Sequence, residues 1–373
     1  LELDERLKRA SIDAIERFGT QFSCSRAYLS LGLYEELESL LAQVYGRPTV
    51  VAPTTSLGHL SNIPVLVGKN DAVILDHQVH ASVQNAVRMV KAGGTHVEMV
   101  RHNNMEHLEN RIKKLSQKYN KVWYMADGIY SMYGDAAPMA DLNRLMDQYE
   151  QFYLYVDDAH GMSWTGKNGA GYVLDQIEYH PKMVLITSLA KGFGSCGGAM
   201  IFHNEEMKQM VRNCGGTLMF SGPLQPAQLG ASIACAKIHL TDEIYTLQNE
   251  LKSRIQYFVN KANELGLPLV DGSITPVFYI GVGKPEVGYS LCKKMMDLGY
   301  YTNIAAFPSV PYNNTGLRMT ITRHHSYEDL NNVLNVIAEH LDGVLKEMNY
   351  SKSEIFKAFK MNVPTNLRVV AGS

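Results

Sequence analysis

Seven short apolar runs recur between residues 49 and 202, and helical stretches separate most of them. The runs cover 49–52, 72–75, 96–100, 122–126, 152–156, 183–187 and 199–202. Between them, 58–66, 82–92, 105–119 and 139–149 read as helices. A strand that is apolar at nearly every position, rather than at every second one, is buried on both faces. Strands of that kind alternating with helices imply an α/β architecture, a mainly parallel seven-stranded sheet covered on both sides. In such a sheet, ligands bind at the carboxyl ends of the strands.

The flanks differ. An amphipathic helix at 3–18, a Ser/Cys/Gly-rich loop at 19–32 containing Ser25-Arg26, and a helix at 34–45 precede the runs. A long helical stretch at about 225–265 leads to weaker strands at 277–282, 302–304 and 317–321, mixed with amphipathic helices near 286–298 and 326–348. The expected organisation is an N-terminal helical segment (1–45), a large ligand-binding domain (46–235), a smaller C-terminal α+β domain (236–360) and a tail (361–373). A chain of 373 residues is long enough for two such lobes.

A net charge of −2 points away from nucleic acid or an anionic membrane as the main partner. Cys24, Cys196, Cys214, Cys235 and Cys292 are odd in number and show no C-x-x-C spacing, which argues against a disulfide framework and a zinc site and for a reducing compartment. No signal peptide is visible and no run reaches membrane-spanning length, so a cytoplasmic location is expected. The chain opens at Leu1 rather than Met, and a preceding segment is expected.

Residues able to do chemistry fall at the strand ends. The run at 183–187 delivers Lys191 into a loop of small residues, Ser188-Leu189-Ala190-Lys191-Gly192-Phe193-Gly194-Ser195-Cys196-Gly197-Gly198. A lysine there suits a Schiff-base amine with room for a planar ring; a flexible turn with a solvated lysine fits the same residues. Val156-Asp157-Asp158-Ala159-His160-Gly161 ends the run before it. An acid in that place can hold a cationic ring nitrogen while His160 reaches the same ligand, and a helix cap or half a metal site is equally consistent, although no third ligand sits at a telling spacing. Thr54-Thr55-Ser56-Leu57-Gly58-His59 joins a strand to a helix, where the amides of Thr55 and Ser56 can hold a phosphate or the hydroxyls can simply cap. His80 lies past a strand end and suits aromatic stacking or a structural role. Asp127 and Ser131, in Ala126-Asp127-Gly128-Ile129-Tyr130-Ser131, can face a ligand. Arg318 sits in an apolar strand and requires an anion, either a substrate carboxylate or an internal acid.

In this order the segments resemble the α-oxoamine synthases, a branch of the fold type I pyridoxal 5'-phosphate (PLP) enzymes, from about residue 14 to 325. The most specific pieces are Val156-Asp157-Asp158-Ala159-His160-Gly161, Gly128-Ile129-Tyr130-Ser131-Met132-Tyr133-Gly134-Asp135 and Ser188-Leu189-Ala190-Lys191-Gly192-Phe193-Gly194. Ser25-Arg26, His80-Ala81-Ser82, Asn103, Pro308-Ser309-Val310-Pro311 and Leu317-Arg318 fall in matching order around them. The resemblance implies a homodimer with PLP as cofactor, bound by the 46–235 domain. It implies that Lys191 carries the cofactor and moves the substrate α-proton, that Asp157 pairs with the ring nitrogen, that His160 lies near the ring hydroxyl and that His80 stacks on the ring. Asp127 and Ser131 would border the ring, the amides of Thr55 and Ser56 would hold the phosphate together with Ser188, and Arg318 and Arg26 would bind the amino acid.

The chain departs from the family's pattern at several points. Gly222, in Phe220-Ser221-Gly222-Pro223, replaces a hydroxyl residue whose phosphate contact must come from Ser221 or water, or be lost. Pro53-Thr54-Thr55-Ser56 replaces a Gly-Ser-Gly-Phe/Tyr loop, Ala306 removes an arginine, and the Asn-Asp-Tyr-Leu-Gly segment has no counterpart. The implied reaction condenses an amino acid with an acyl thioester on CoA or an acyl carrier, in most of the family with loss of CO₂. The alternatives are a long-chain (sphingolipid-like or signal-molecule) synthase, a fold type I aminotransferase, and a non-enzymatic partner subunit. For the long-chain synthase, Met132, Tyr133, Met162, Trp164, Met219 and Phe220 would either line the acyl chain or be core and dimer contacts. Retention of Lys191 and Asp157 argues against the non-enzymatic partner.

Overall fold

The structure, a computed structural model, describes residues 1–272 and 275–362; residues 363–373 of the expected tail lie outside the described residues. Two compact units divide the chain, the first made of residues 1–130 and 136–248, the second of 131–135 and the chain from Asn249 on. The division therefore falls at 248/249 rather than 235/236, and the N-terminal helices belong to the first unit.

The first unit holds seven strands: β1 (Thr49–Ala52), β2 (Ala72–Asp76), β3 (His96–Val100), β4 (Val122–Asp127), β5 (Phe152–Asp157), β6 (Met183–Ser188) and β7 (Gly198–Ile201). They form one sheet in the order β1-β7-β6-β5-β4-β2-β3. β3, β2, β4, β5 and β6 run parallel, and β7 is antiparallel to both of its neighbours. Its helices are α1 (Glu5–Phe18), α2 (Gly32–Tyr45), α3 (Thr55–Leu66), α4 (Ala81–Ala92), α5 (Met105–Leu115), α6 (Met139–Gln148), α7 (Tyr172–Gln176), α8 (Glu205–Cys214), α9 (Gly216–Met219), α10 (Pro226–His239) and the start of α11 (Glu243–Glu264).

Alternate strand residues feed two separate cores, which is why the runs are apolar throughout. Val122, Tyr124, Ala126, Phe152, Leu154, Val156, Met183 and Leu185 pack with Leu7, Leu37, Leu108, Leu142 and Leu229 from α1, α2, α5, α6 and α10. Trp123, Met125, Tyr155, Val184 and Ile186 pack on the other face with Ile63, Val83, Val87, Val211 and Leu218 from α3, α4, α8 and α9. The strand period of two then places Asp127 on the face of Met125, and Asp157 on the face of Tyr155, both toward α3 and α4.

The helical stretch expected over 225–265 is two helices, α10 and α11. The Thr241 N–H donates to the Ile238 carbonyl at 3.0 Å and its Oγ1 to the same carbonyl at 2.8 Å, which closes α10. The amides of Ile244 and Tyr245 then donate to the carbonyls of Thr241 and Asp242 and open α11. Short polar side chains that bind nearby backbone favour such a break.

In the second unit, β8 (Val277–Gly283), β9 (Asn303–Ala305) and β10 (Thr315–Thr320) form an antiparallel sheet in the order β8-β10-β9. It is accompanied by α12 (Pro285–Asp297), α13 (Tyr327–Glu347) and α14 (Lys352–Ala358). No helix among the described residues is long and apolar enough to cross a membrane.

Candidate active site

A cavity of about 420 Å³ opens in the first unit at the carboxyl ends of β4, β5 and β6. Lys191, Asp157, Asp127, His80, His160, Thr55 and Ser56 all line it, so the structure brings seven of the sequence-predicted residues together. Their chain separation, from 55 to 191, is bridged by the parallel strand order, which sets the ends of β4, β5 and β6 side by side.

Lys191 stands in a folded turn, not a flexible one. The Leu189 N–H donates to the Gly197 carbonyl and the Ser195 N–H to the Leu189 carbonyl, both at 2.9 Å; the Gly194 N–H closes on the Lys191 carbonyl at 2.9 Å. Leu189 and Phe193 are wholly buried on either side, so the backbone is anchored while the Lys191 side chain remains exposed toward the cavity. Gly198 lets this turn approach α3: a Cβ there would lie 2.7 Å from the Thr55 nitrogen. The α3 N-terminus and the lysine are thereby held on one cavity wall. Thr54 caps α3, its Oγ1 accepting the Leu57 N–H at 3.1 Å, and leaves the first-turn amides of Thr55 and Ser56 in the cavity lining.

Asp157 and Asp127 are register partners at the ends of β5 and β4, and their environments push them apart. Burial opposes ionisation of Asp157, but the charge and hydrogen bond of His59, the nearby Lys191 and the Ala159 amide outweigh it and hold the carboxyl at about 2. Its Oδ2 meets His59 Nε2 at 2.9 Å and its Oδ1 accepts the Ala159 N–H at 3.0 Å. Asp127 is pushed well above the carboxylate range by burial and then by the Asp157 charge, while its Oδ1 accepts the His80 N–H at 3.1 Å. The pair thus offers one anion and one neutral acid. His80 caps α4 through Nδ1, which meets Ser82 Oγ at 2.6 Å, and burial lowers its basicity despite the pull of Asp157.

The second acid of the Asp157-Asp158 pair faces away from the cavity. Its Oδ2 accepts the Val173 N–H at 3.1 Å, and it is cradled by Gly128, Gly161 and Gly171, where a Cβ would lie 2.4, 2.1 and 2.4 Å from its carboxylate oxygens. Burial, and after it the Asp157 charge, raises this carboxyl well above the usual range. A raised folded value makes folding take up a proton, so the contribution of Asp158 is fully present below the unfolded value near 4 and declines as pH rises. Asp158→Asn removes that titration. Its stability relative to the unmodified protein is expected to rise as the pH climbs above about 4; thermal melts of both proteins at increasing pH check it, and a flat difference would contradict the neutral acid.

Other sequence-predicted residues lie elsewhere. Ser188 is buried with Oγ accepting the Ala190 N–H at 3.2 Å, and Ser221 Oγ donates to the Thr217 carbonyl at 2.5 Å; neither is among the cavity's lining residues. Arg26, expected to bind substrate, is buried in an internal network instead. It donates to Glu38 and to the Val51 carbonyl at 2.9 Å each and stacks 3.8 Å over Tyr34, so a nearby carboxylate and aromatic face already engage the guanidinium. In the second unit, Arg318 Nε donates to the Ser131 carbonyl at 2.6 Å, and burial lowers its basicity. Met162 and Trp164 are core residues, whereas Phe220 is exposed. Sequence reasoning missed His59, Tyr155, Cys196 and Gln228. For His59 a signal existed, since it falls one helical turn after Thr55, on the stretch already read as a phosphate loop.

A parallel-sheet cavity carrying a strand-end lysine, an ionised strand-end acid and a helix N-terminus defines a PLP enzyme of fold type I. Residues 4–337 match the family described as aminotransferase class I and II. The chain is 30% identical to the 8-amino-7-oxononanoate synthase of Alkaliphilus metalliredigens over 89% of its length and 82% of that protein. It is 30% identical to the serine palmitoyltransferase of Bacteriovorax stolpii over 89% of its length and 78% of that protein. Among solved structures, the serine palmitoyltransferase of Sphingomonas wittichii superposes with a TM-score of 0.84 at 22% identity, covering 92% of this chain and 85% of that one. The 8-amino-7-oxononanoate synthase of Francisella tularensis gives 0.76 at 19%, covering 92% and 95%. The chain belongs to the aminotransferase class I and II family, in its α-oxoamine synthase branch, and is a PLP-dependent C-acyltransferase. The residues present fit the cofactor: an amine for its aldehyde carbon, an anion for its ring nitrogen, helix N-terminal amides for its phosphate and an imidazole at the wall.

Proposed function

We propose that this chain works as a cytoplasmic homodimer that joins the α-carbon of an amino acid to the acyl carbon of a thioester. The C–S bond breaks and frees the thiol, and the amino acid's carboxylate leaves as CO₂. When bound, PLP supplies the electron sink for the pair left on the α-carbon. The chain's own residues do the rest. Lys191 takes the α-proton at its Nζ and later returns one. Asp157 stays anionic against the ring nitrogen, His80 covers a ring face, and His160 and the neutral Asp127 border the ring. The amides of Thr55 and Ser56 hold the phosphate, and Arg318 takes the amino acid carboxylate. The observation that carries this reading is the meeting of Lys191 and an anionic Asp157 in one cavity. The relatives' names support the reaction class, and the five free cysteines fit a reducing compartment.

The test is a panel of glycine, alanine, serine and threonine against acyl-CoAs of increasing length, scored for free thiol and CO₂. At least one pair is expected to release both in equal amounts. Amino-group transfer to a 2-oxo acid without thiol release would sink the proposal in favour of transamination.

A further inference from the structure

His59 lies on α3, outside the cavity lining, and is fully buried at 0% exposure. It bridges two residues of one strand. Tyr155 and Asp157 are two apart on β5, hence on the same face, and α3 packs on that face. The imidazole spans the gap: Nδ1 meets the Tyr155 hydroxyl at 2.9 Å and Nε2 meets Asp157 Oδ2 at 2.9 Å. An ionised carboxylate only accepts, so Nε2 carries the hydrogen and donates. Together with the Ala159 amide on Oδ1, this gives Asp157 a two-point hold, one donor on each oxygen.

We infer that His59, backed by Tyr155, is a positioning residue that fixes the rotation of the Asp157 carboxylate and the face it turns to the cofactor's ring nitrogen. The inference rests on Asp157 being the ring-nitrogen partner. A carboxylate free to turn about its last torsion would offer the ring nitrogen a changing distance, and a buried one without a donor would lose its anionic form. The other titratable groups interacting with Asp157 are its neighbour Asp158, which faces away from the cavity, and Asp127 from β4, His80 from the start of α4 and Lys191 from the turn after β6, which line it. His59 and Tyr155 are sealed beneath the cavity; His59 also adds its charge to the burial that depresses the basicity of His80, but its hydrogen bond to a lining residue is to Asp157. The arrangement has the logic of a ligand oriented by an outer partner, where loss of that partner lowers activity by about 10- to 100-fold.

The test compares His59→Phe, His59→Gln and Tyr155→Phe with Asp157→Asn, each as PLP-loaded enzyme. For His59→Phe, kcat is expected to fall by about 10- to 100-fold with little change in the KM for the amino acid. The pH midpoint of the cofactor's visible absorbance is expected to move upward, because a less well held anion leaves less positive charge at the ring nitrogen to lower the proton affinity of the lysine linkage. The dissociation constant of PLP from the apoprotein should rise in parallel. His59→Gln, which retains a donor, should recover most of each effect, and Tyr155→Phe should show a smaller shift of the same sign. If His59→Phe does not fold, the Tyr155→Phe enzyme decides: an unmoved absorbance midpoint in it overturns the inference. An Asp157→Asn enzyme with wild-type absorbance and turnover would instead overturn the role given to Asp157. A large Asp157→Asn effect beside an unchanged His59→Phe enzyme overturns only the role of His59.

Discussion

Lys191→Ala is expected to yield a folded protein whose turnover falls by at least about 10²–10⁴-fold. The range is the worth of one positioned proton-transfer group, and loss of the covalent hold on the cofactor adds to it. Folding should survive because the side chain is exposed, while the turn that presents it is held by Leu189, Phe193 and three backbone hydrogen bonds that the substitution leaves in place. The melting temperature should therefore stay close to that of the unmodified protein. PLP should still bind through the α3 amides and Asp157, but its visible band should become that of the free aldehyde and should disappear on dialysis. The informative combination is activity, absorbance and melting curve on one preparation. Turnover within about tenfold of wild type, with the protein-linked band still present, would contradict the assignment of Lys191.

What the sequence made legible and what it hid follow from the range of the interactions concerned. The sheet was readable because its strands, the edge strand β3 apart, are buried on both faces and so are apolar along nearly their whole length, a signal contained within four to six residues. The strand-end residues were readable for the same reason: Asp157 closes β5 and Lys191 lies three residues past the end of β6. The break between α10 and α11 was harder, because Thr241 and Asp242 interrupt a helical pattern by local backbone bonds that apolar periodicity does not register. Ser188 and Ser221 could not be sorted from Thr55 and Ser56 by residue type. A hydroxyl that reaches a neighbouring backbone group and one that faces a cavity look alike in sequence. Arg26 was ambiguous for a related reason, since Glu38, one helix away, decides what its guanidinium does. His59 depends on the packing of α3 against β5, a contact across 96 residues to Tyr155 and 98 to Asp157, so only the fold reveals it.

Asp157→Asn is expected to lower kcat by about 10²–10⁴-fold, comparable with other buried acids that orient and charge-balance a reacting partner. Asparagine keeps the size of the side chain and an oxygen to accept the Ala159 amide, so the cavity should keep its shape; what is lost is charge. At any pH near neutrality the native carboxyl, held at about 2, is fully ionised and can keep a ring nitrogen protonated. A neutral amide cannot, and on the proposed roles a bound cofactor ring would be a poorer sink for the electron pair left when Lys191 takes the α-proton. The substitution also removes the charge that, after burial, raises Asp127, so Asp127 should become a stronger acid without becoming exposed. Stability supplies an independent check. A folded value depressed below the unfolded one contributes stability that is present above about pH 4 and is lost as pH falls toward 2. The stability deficit of Asp157→Asn should therefore be largest near neutrality and close as acid titrates the native protein. A variant with kcat within about threefold of wild type, or a deficit that does not change with pH, would mean that Asp157 carries no charge that the reaction or the fold uses.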